Sequence, residues 1–189
     1  MWSAFWLSFG VIFVAELGDK SQLMALAFAT RYKVIPVLIG ITAATAIVHL
    51  ASVALGGVLG AALPTKPINF VAAVAFVIFG LWTLRGDELS EAEENRAAQT
   101  ARSVVFAVGS VFFLAELGDK TMLATVTLAT REGLVGTWLG STVGMVIADA
   151  LAIVIGRALG KRLPERTIKI GAAIAFFVFA ALLFVEALS

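Results

Sequence analysis

Ala15-Glu16-Leu17-Gly18-Asp19-Lys20 recurs, residue for residue, as Ala115-Glu116-Leu117-Gly118-Asp119-Lys120. Each copy sets two carboxylates and an ammonium in the middle of a stretch that is otherwise apolar. A charged side chain near the centre of a bilayer costs at least ~3 kcal/mol on insertion scales, so charge retained there is read as functional first. Two matching acidic clusters in one small chain predict one shared site for a cation.

The rest of the chain supports a membrane setting. Of its 189 residues 60% are hydrophobic and only 14% charged, with a mean hydropathy of +0.99. A soluble domain would carry about 25% charged residues. The net charge of +1 predicts no nucleic-acid partner, leaving the lipid bilayer and a metal ion as partners. Cysteine is absent, which excludes disulfides, iron–sulfur clusters and thiolate zinc sites. His49 is the one histidine, so a polyhistidine transition-metal site is excluded as well. Met1-Trp2-Ser3-Ala4-Phe5-Trp6 has no basic n-region, and the apolar run continues past any cleavage site. It reads as the first span, not a signal peptide.

A spanning helix needs ~20 apolar residues. Six stretches qualify, at about 4–29, 34–62, 68–84, 104–129, 134–157 and 168–187. The second and fifth exceed the need, so they tilt or end early at Gly56-Gly57 and Gly156. Breaks fall at Arg31-Tyr32-Lys33, Pro64-Thr65-Lys66-Pro67, Arg131-Glu132-Gly133 and Lys161-Arg162-Leu163-Pro164-Glu165-Arg166. Arg85 to Arg102, with Asp87, Glu88, Glu91, Glu93 and Glu94, reads as a solvated linker. Outside the two motifs, ten basic residues fall on one side of this topology and only Lys66 and Arg131 on the other. Basic residues favour the cytoplasmic side. The expected placement is therefore an inner (plasma) membrane with the central linker cytoplasmic and both termini outside.

Residues 11–85 align on 111–185 without a gap, with 26 of 75 pairs identical. The matches include Ala29-Thr30-Arg31 with Ala129-Thr130-Arg131, and Gly40, Thr42, Gly56, Gly60, Leu63-Pro64 and Phe76 with their counterparts. Three spans per half is an odd number, so the halves enter the membrane in opposite senses. The expected fold is an all-α membrane protein: six transmembrane helices as two inverted-topology three-helix repeats, 1–84 and 104–189, joined by the polar linker 85–103. Inverted repeats recur in secondary transporters, whose ions bind near the midplane at the repeat interface.

On a continuous helix, Glu16, Asp19 and Lys20 share one face, which Leu23 extends, while Ser21 points away toward a backbone carbonyl. Gly18 permits close helix approach or a local break that frees carbonyls. Glu116, Gly118, Asp119, Lys120 and Thr121 repeat the pattern. Four carboxylates and two lysines sum to −2, which one divalent cation or two protons would neutralise. Metal and protons as alternative occupants of one site is the minimal chemistry of cation/proton exchange. Carboxylate oxygens without thiols suit hard cations such as Mn²⁺ and Ca²⁺. The competing structural reading makes Glu16–Lys20 and Glu116–Lys120 intrahelical ion pairs that merely lock the bundle.

Other polar residues carry weaker signals. His49 aligns with Asp149, both mid-span, as a proton relay or a satisfied buried pair. Thr42, Thr142, Ser141 and Thr45 line a path or bond their own backbone. Gln22 aligns with Met122, which argues against a symmetric role, and Arg31 and Arg131 snorkel to the interface.

Glu16-Leu17-Gly18-Asp19-Lys20-Ser21 and Glu116-Leu117-Gly118-Asp119-Lys120-Thr121 are complete matches to a doubled Glu-x-Gly-Asp-Lys-Ser/Thr string. In this the chain resembles the Gdt-one / transmembrane-protein-165 family (uncharacterised protein family 0016) of divalent-cation/proton exchangers. The resemblance covers essentially the whole chain. It implies a six-span transporter, not an enzyme, with no cofactor. It also implies Mn²⁺ or Ca²⁺ moved against protons with Glu16, Asp19, Glu116 and Asp119 as ligands, and manganese export as the commonest bacterial role. Two rivals remain. A passive cation channel would move the ion without protons. An intramembrane aspartyl protease would use Asp19 and Asp119 as a dyad, but such enzymes carry Gly-x-Gly-Asp where both copies here have Glu first, and the adjacent lysines oppose a shared proton.

Overall fold

The computed structural model describes residues 1–62, 65–85, 104–159 and 165–188, and every regular element among them is an α-helix. In chain order these are α1 (Trp2–Glu16), α2 (Lys20–Arg31), α3 (Val34–Ala62), α4 (Thr65–Arg85), α5 (Val104–Glu116), α6 (Lys120–Ala129), α7 (Leu134–Leu159) and α8 (Glu165–Leu188). Four of the six expected stretches are single helices, and the 34–62 boundaries agree at both ends. The first and fourth are not. Each is interrupted at its motif, α1 passing to α2 and α5 to α6. The acidic linker beyond Arg85 lies outside the described residues, as do residues 63–64 and 160–164 at two of the expected breaks.

α3 and α7 are each long and apolar enough to cross a membrane, while α1 and α5 are shorter apolar helices. The polarity of the molecule is inverted relative to a soluble bundle. On α3, Ile35, Ile39, Ile47, Leu50 and Val58 are exposed, whereas Glu16, Asp19, Glu116, Asp119, Lys120 and Asp149 are buried. An apolar exterior around a charged interior is what a hydrocarbon solvent selects.

Packing couples the two halves of the chain. α1 lies along α7 and α3 along α5, α2 packs on α7 and α6 on α3, and α4 pairs with α8. Every contact of the first half's broken helix with the second half's long helix thus has its counterpart with the roles exchanged. Phe76 and Phe176, aligned in the repeat, meet with ring centroids 5.9 Å apart. Thr45 Oγ1 donates to Sδ of its counterpart Met145 at 3.4 Å.

Small residues permit this closeness. A Cβ at Gly144 would come within 2.7 Å of the Phe9 carbonyl on α1, and one at Gly40 within 2.8 Å of the Val105 carbonyl on α5. Gly56-Gly57 and Gly156 do not end their helices as one reading of the sequence allowed. α3 and α7 run through them, because their missing side chains leave room for neighbours: a Cβ at Gly156 would meet Leu26 Cδ2 at 2.7 Å. Arg157 donates to the Ala29 carbonyl, covering an open end of α2 with a charge from the other half.

Candidate cation site

The helix breaks are built by the motif itself. α1 ends at Glu16, Gly18 takes φ +75, and Asp19 sits at the N-cap of α2 in extended backbone. In the second copy α5 ends at Glu116, Gly118 takes φ +78, and Asp119 is the N-cap of α6. A left-handed φ costs an L-residue roughly 1–2 kcal/mol, so glycine is the residue for the turn. The Asp19 N–H returns to the Glu16 carbonyl at 3.1 Å and that of Asp119 to Glu116 at 3.2 Å, closing each turn. The expectation of one continuous helix with Glu16, Asp19 and Lys20 on a single face is therefore corrected. Each glutamate ends one helix and each aspartate starts the next.

The break also redirects the charges. An N-cap aspartate ordinarily accepts a bond from its own helix's backbone. Neither Asp19 nor Asp119 does so. Asp19 Oδ1 accepts instead from Lys120 Nζ at 2.7 Å, and Lys20 Nζ lies 3.6 Å from Asp119 Oδ1. These pairs cross between the two motifs. They stand in place of the intrahelical pairs Glu16–Lys20 and Glu116–Lys120 of the competing structural reading, because the turn at glycine takes each lysine off the face of its own glutamate.

The glutamates are consequently left to each other. Glu16 is fully buried, and neither of its carboxylate oxygens has a hydrogen-bond partner among the described residues. Glu116 accepts from Thr121 Oγ1 at 2.8 Å through Oε2 alone. Glu16 feels the charges of Asp19, Glu116, Asp149 and Lys120, and Glu116 those of Asp119, Asp19 and Asp149. All four motif acids thus share one electrostatic cluster. Among the described residues no three acid or histidine side chains converge as a metal cage, the aspartates being held by the lysines.

Asp149 joins this cluster. It is wholly buried on α7, both oxygens lack a hydrogen-bond partner among the described residues, and Asp19 is its electrostatic neighbour. Five carboxylates against two lysines make a formal −3 where the motifs alone give −2. His49, the aligned residue, is buried, and its Nδ1 has no partner among the described residues.

The remaining polar residues meet some expectations and correct others. Ser21 is buried with its Oγ unpartnered instead of bonding a carbonyl. Thr42 is exposed and donates to the Leu38 carbonyl at 2.7 Å, which removes it from any buried path. Ser141 donates to its own helix at Trp138, while Thr142 is buried with its hydroxyl unpartnered. Arg31 and Arg131 are exposed at the ends of their segments. Gln22 and Met122 do share a role, which the sequence comparison missed. Gln22 Oε1 accepts the Gly18 N–H at 2.8 Å, and Met122 Sδ accepts the Gly118 N–H at 3.2 Å. The Gly-to-(i+4) spacing is the sequence signal for it. Gln22 Nε2 additionally donates to the Ala148 carbonyl, beside Asp149, at 3.1 Å.

Comparison with known proteins gives the chain a family. The family model described as divalent cation/proton antiporter GDT1 matches residues 4–91 and 104–189. GDT1-like protein sll0615 of Synechocystis is 30% identical over 95% of this chain and 96% of its own length. A Vibrio cholerae protein named "Putative manganese exporter" is 32% identical over 84% of this chain and 78% of its own. GDT1-like protein 3 of Arabidopsis thaliana is 28% identical over 95% of this chain and 70% of its own. No solved structure shows significant similarity. A family of cation/proton transporters leaves no place for the aspartyl-protease reading. The chain belongs to the GDT1 family of divalent cation/proton antiporters.

Proposed function

We propose that this protein exchanges Mn²⁺ for protons, with Ca²⁺ as the second candidate, and exports Mn²⁺ from the cytoplasm. In this reading the first and second halves, 1–84 and 104–189, form inverted three-helix repeats that together span the membrane six times, with residues 85–103 as the cytoplasmic linker. Glu16, Asp19, Glu116 and Asp119 are the ligands of one midplane site. The observation that carries the reading is the buried pair Glu16 and Glu116, one from each motif, of whose four carboxylate oxygens only Glu116 Oε2 meets a donor among the described residues. Buried polar groups are ordinarily satisfied, and a buried charge left alone is expensive. A cation or protons would each complete this cluster, and only one can do so at a time. The break in each helix serves the same end, since interrupted helices place charged groups and backbone at the midplane of transporters.

Because carboxylates bind metal only when ionised, metal must release protons on binding, and affinity must fall as pH falls. Uptake of Mn²⁺ and Ca²⁺ into proteoliposomes, with and without an imposed pH gradient, tests the exchange. Gradient-driven accumulation is expected, with Mn²⁺ favoured. Flux that runs down the metal gradient and ignores pH would establish the passive channel instead. The orientation is tested with Ser90→Cys in this cysteine-free chain, which should react only with reagents that reach the cytoplasm.

A further inference from the structure

Lys20 and Lys120 are the two charged groups of the site that binding a cation leaves unexplained. A site for a divalent cation is weakened by resident ammoniums, and each lysine nevertheless sits on an acid of the opposite motif. We propose that Lys20 and Lys120 are resident counter-cations of the site. Each holds the aspartate of the opposite motif until an arriving divalent cation displaces it, and Lys20 leaves first. The inference rests on the exchange reading given above.

Three features support it. The aspartates forgo the backbone bond that an N-cap normally accepts, so their carboxylates are committed across the interface. The partner is an ammonium on a flexible four-carbon stem, a point charge that can withdraw without dismantling a planar, two-pronged contact. The two pairs are also unequal. The Lys120–Asp19 pair is 2.7 Å long with side chains 3% and 0% exposed, whereas Lys20–Asp119 is 3.6 Å with Lys20 19% exposed. The looser, wetter pair is the one a hydrated cation meets at lower cost, because its ammonium is already partly solvated. When the cation departs, each lysine covers its aspartate again, so neither aspartate is left without a counter-charge in low dielectric.

Competition of this kind inverts the order expected of a structural ion pair. Calorimetric titration of Mn²⁺ into the full-length chain in detergent at pH 8 reads it directly. Lys120→Met removes the stronger competitor and should tighten Mn²⁺ binding by roughly tenfold, with Lys20→Met giving a smaller gain. Lys120→Arg should weaken binding several-fold, because a guanidinium grips the carboxylate through two parallel bonds and is harder to displace. A lysine that merely braces the fold predicts the opposite order, with Arg close to Lys and Met weakest. That order, or Met variants that leave Mn²⁺ affinity unchanged, would overturn the proposal in a parent chain that binds Mn²⁺. A parent chain that does not bind Mn²⁺ would instead refute the exchange reading itself. Should Lys120→Met lose its thermal transition, Lys120→Gln and Lys20→Met carry the same test.

Discussion

The two copies of Glu-Leu-Gly-Asp-Lys are identical in sequence and unequal in surroundings. In the second copy Thr121 donates to Glu116, and Lys120 is buried on Asp19. In the first copy Ser21 reaches no partner, and Lys20 is partly exposed at a longer distance from Asp119. Behind the first copy Gln22 bonds both the Gly18 amide and the backbone next to Asp149, while Met122 supplies only a sulfur. A duplicated motif therefore repeats its backbone turn faithfully and its energetics only in part. The turn needs nothing beyond glycine and the helices on either side of it. The strength of each charge interaction depends on neighbours that the repeat did not keep, namely Ser21 against Thr121, Gln22 against Met122, and His49 against Asp149.

The largest expected effect tests whether the two copies form one site. Glu16→Gln, Asp19→Asn, Glu116→Gln and Asp119→Asn should each abolish Mn²⁺ transport in proteoliposomes while membrane insertion is retained. Full activity with both acids of one half replaced would separate the copies and break the shared site. The hydroxyls come next. Thr121→Val leaves Glu116 without its donor and should cost about 1–3 kcal/mol in thermal or denaturant unfolding. Ser21→Ala should be close to neutral, since it removes a buried oxygen that bonds nothing. Equal effects at the two positions would erase the asymmetry argued here. The last pair of substitutions addresses the turn that both copies share. Gly118→Ala adds a Cβ that meets no atom within 4 Å, so its penalty is conformational alone, about 1–2 kcal/mol. Gly18→Ala, at nearly the same φ, should cost a similar amount in the same unfolding measurement.

Much of the fold was legible because hydropathy and length are local properties. The 34–62 helix could be read to the residue, and the other unbroken helices within a few residues, since an apolar run ends where charge or proline begins. The interruption at Gly18 and Gly118 was legible only as an alternative. Glycine in a helical stretch permits both close approach and a break, and the choice between them depends on what the freed groups can reach. The competing reading, an intrahelical pairing of glutamate with lysine, rests on i,i+4 spacing, and that spacing means proximity only on an unbroken helix.

By itself, then, the sequence determined the solvent, the duplication, the acidic character of the doubled motif and the family. Those follow from composition and from a string too specific to arise twice by chance. Only the tertiary structure decided which charges meet. Lys120 is one hundred and one residues from Asp19 along the chain and 2.7 Å away in space. No periodicity encodes that contact, because it exists only where α1–α2 and α5–α6 are brought face to face by the long helices of the opposite halves. The same packing sets Asp149 beside Asp19 in the acidic cluster. Electrostatic partnership in a low-dielectric interior is set by distance and burial, and both are products of the assembled fold.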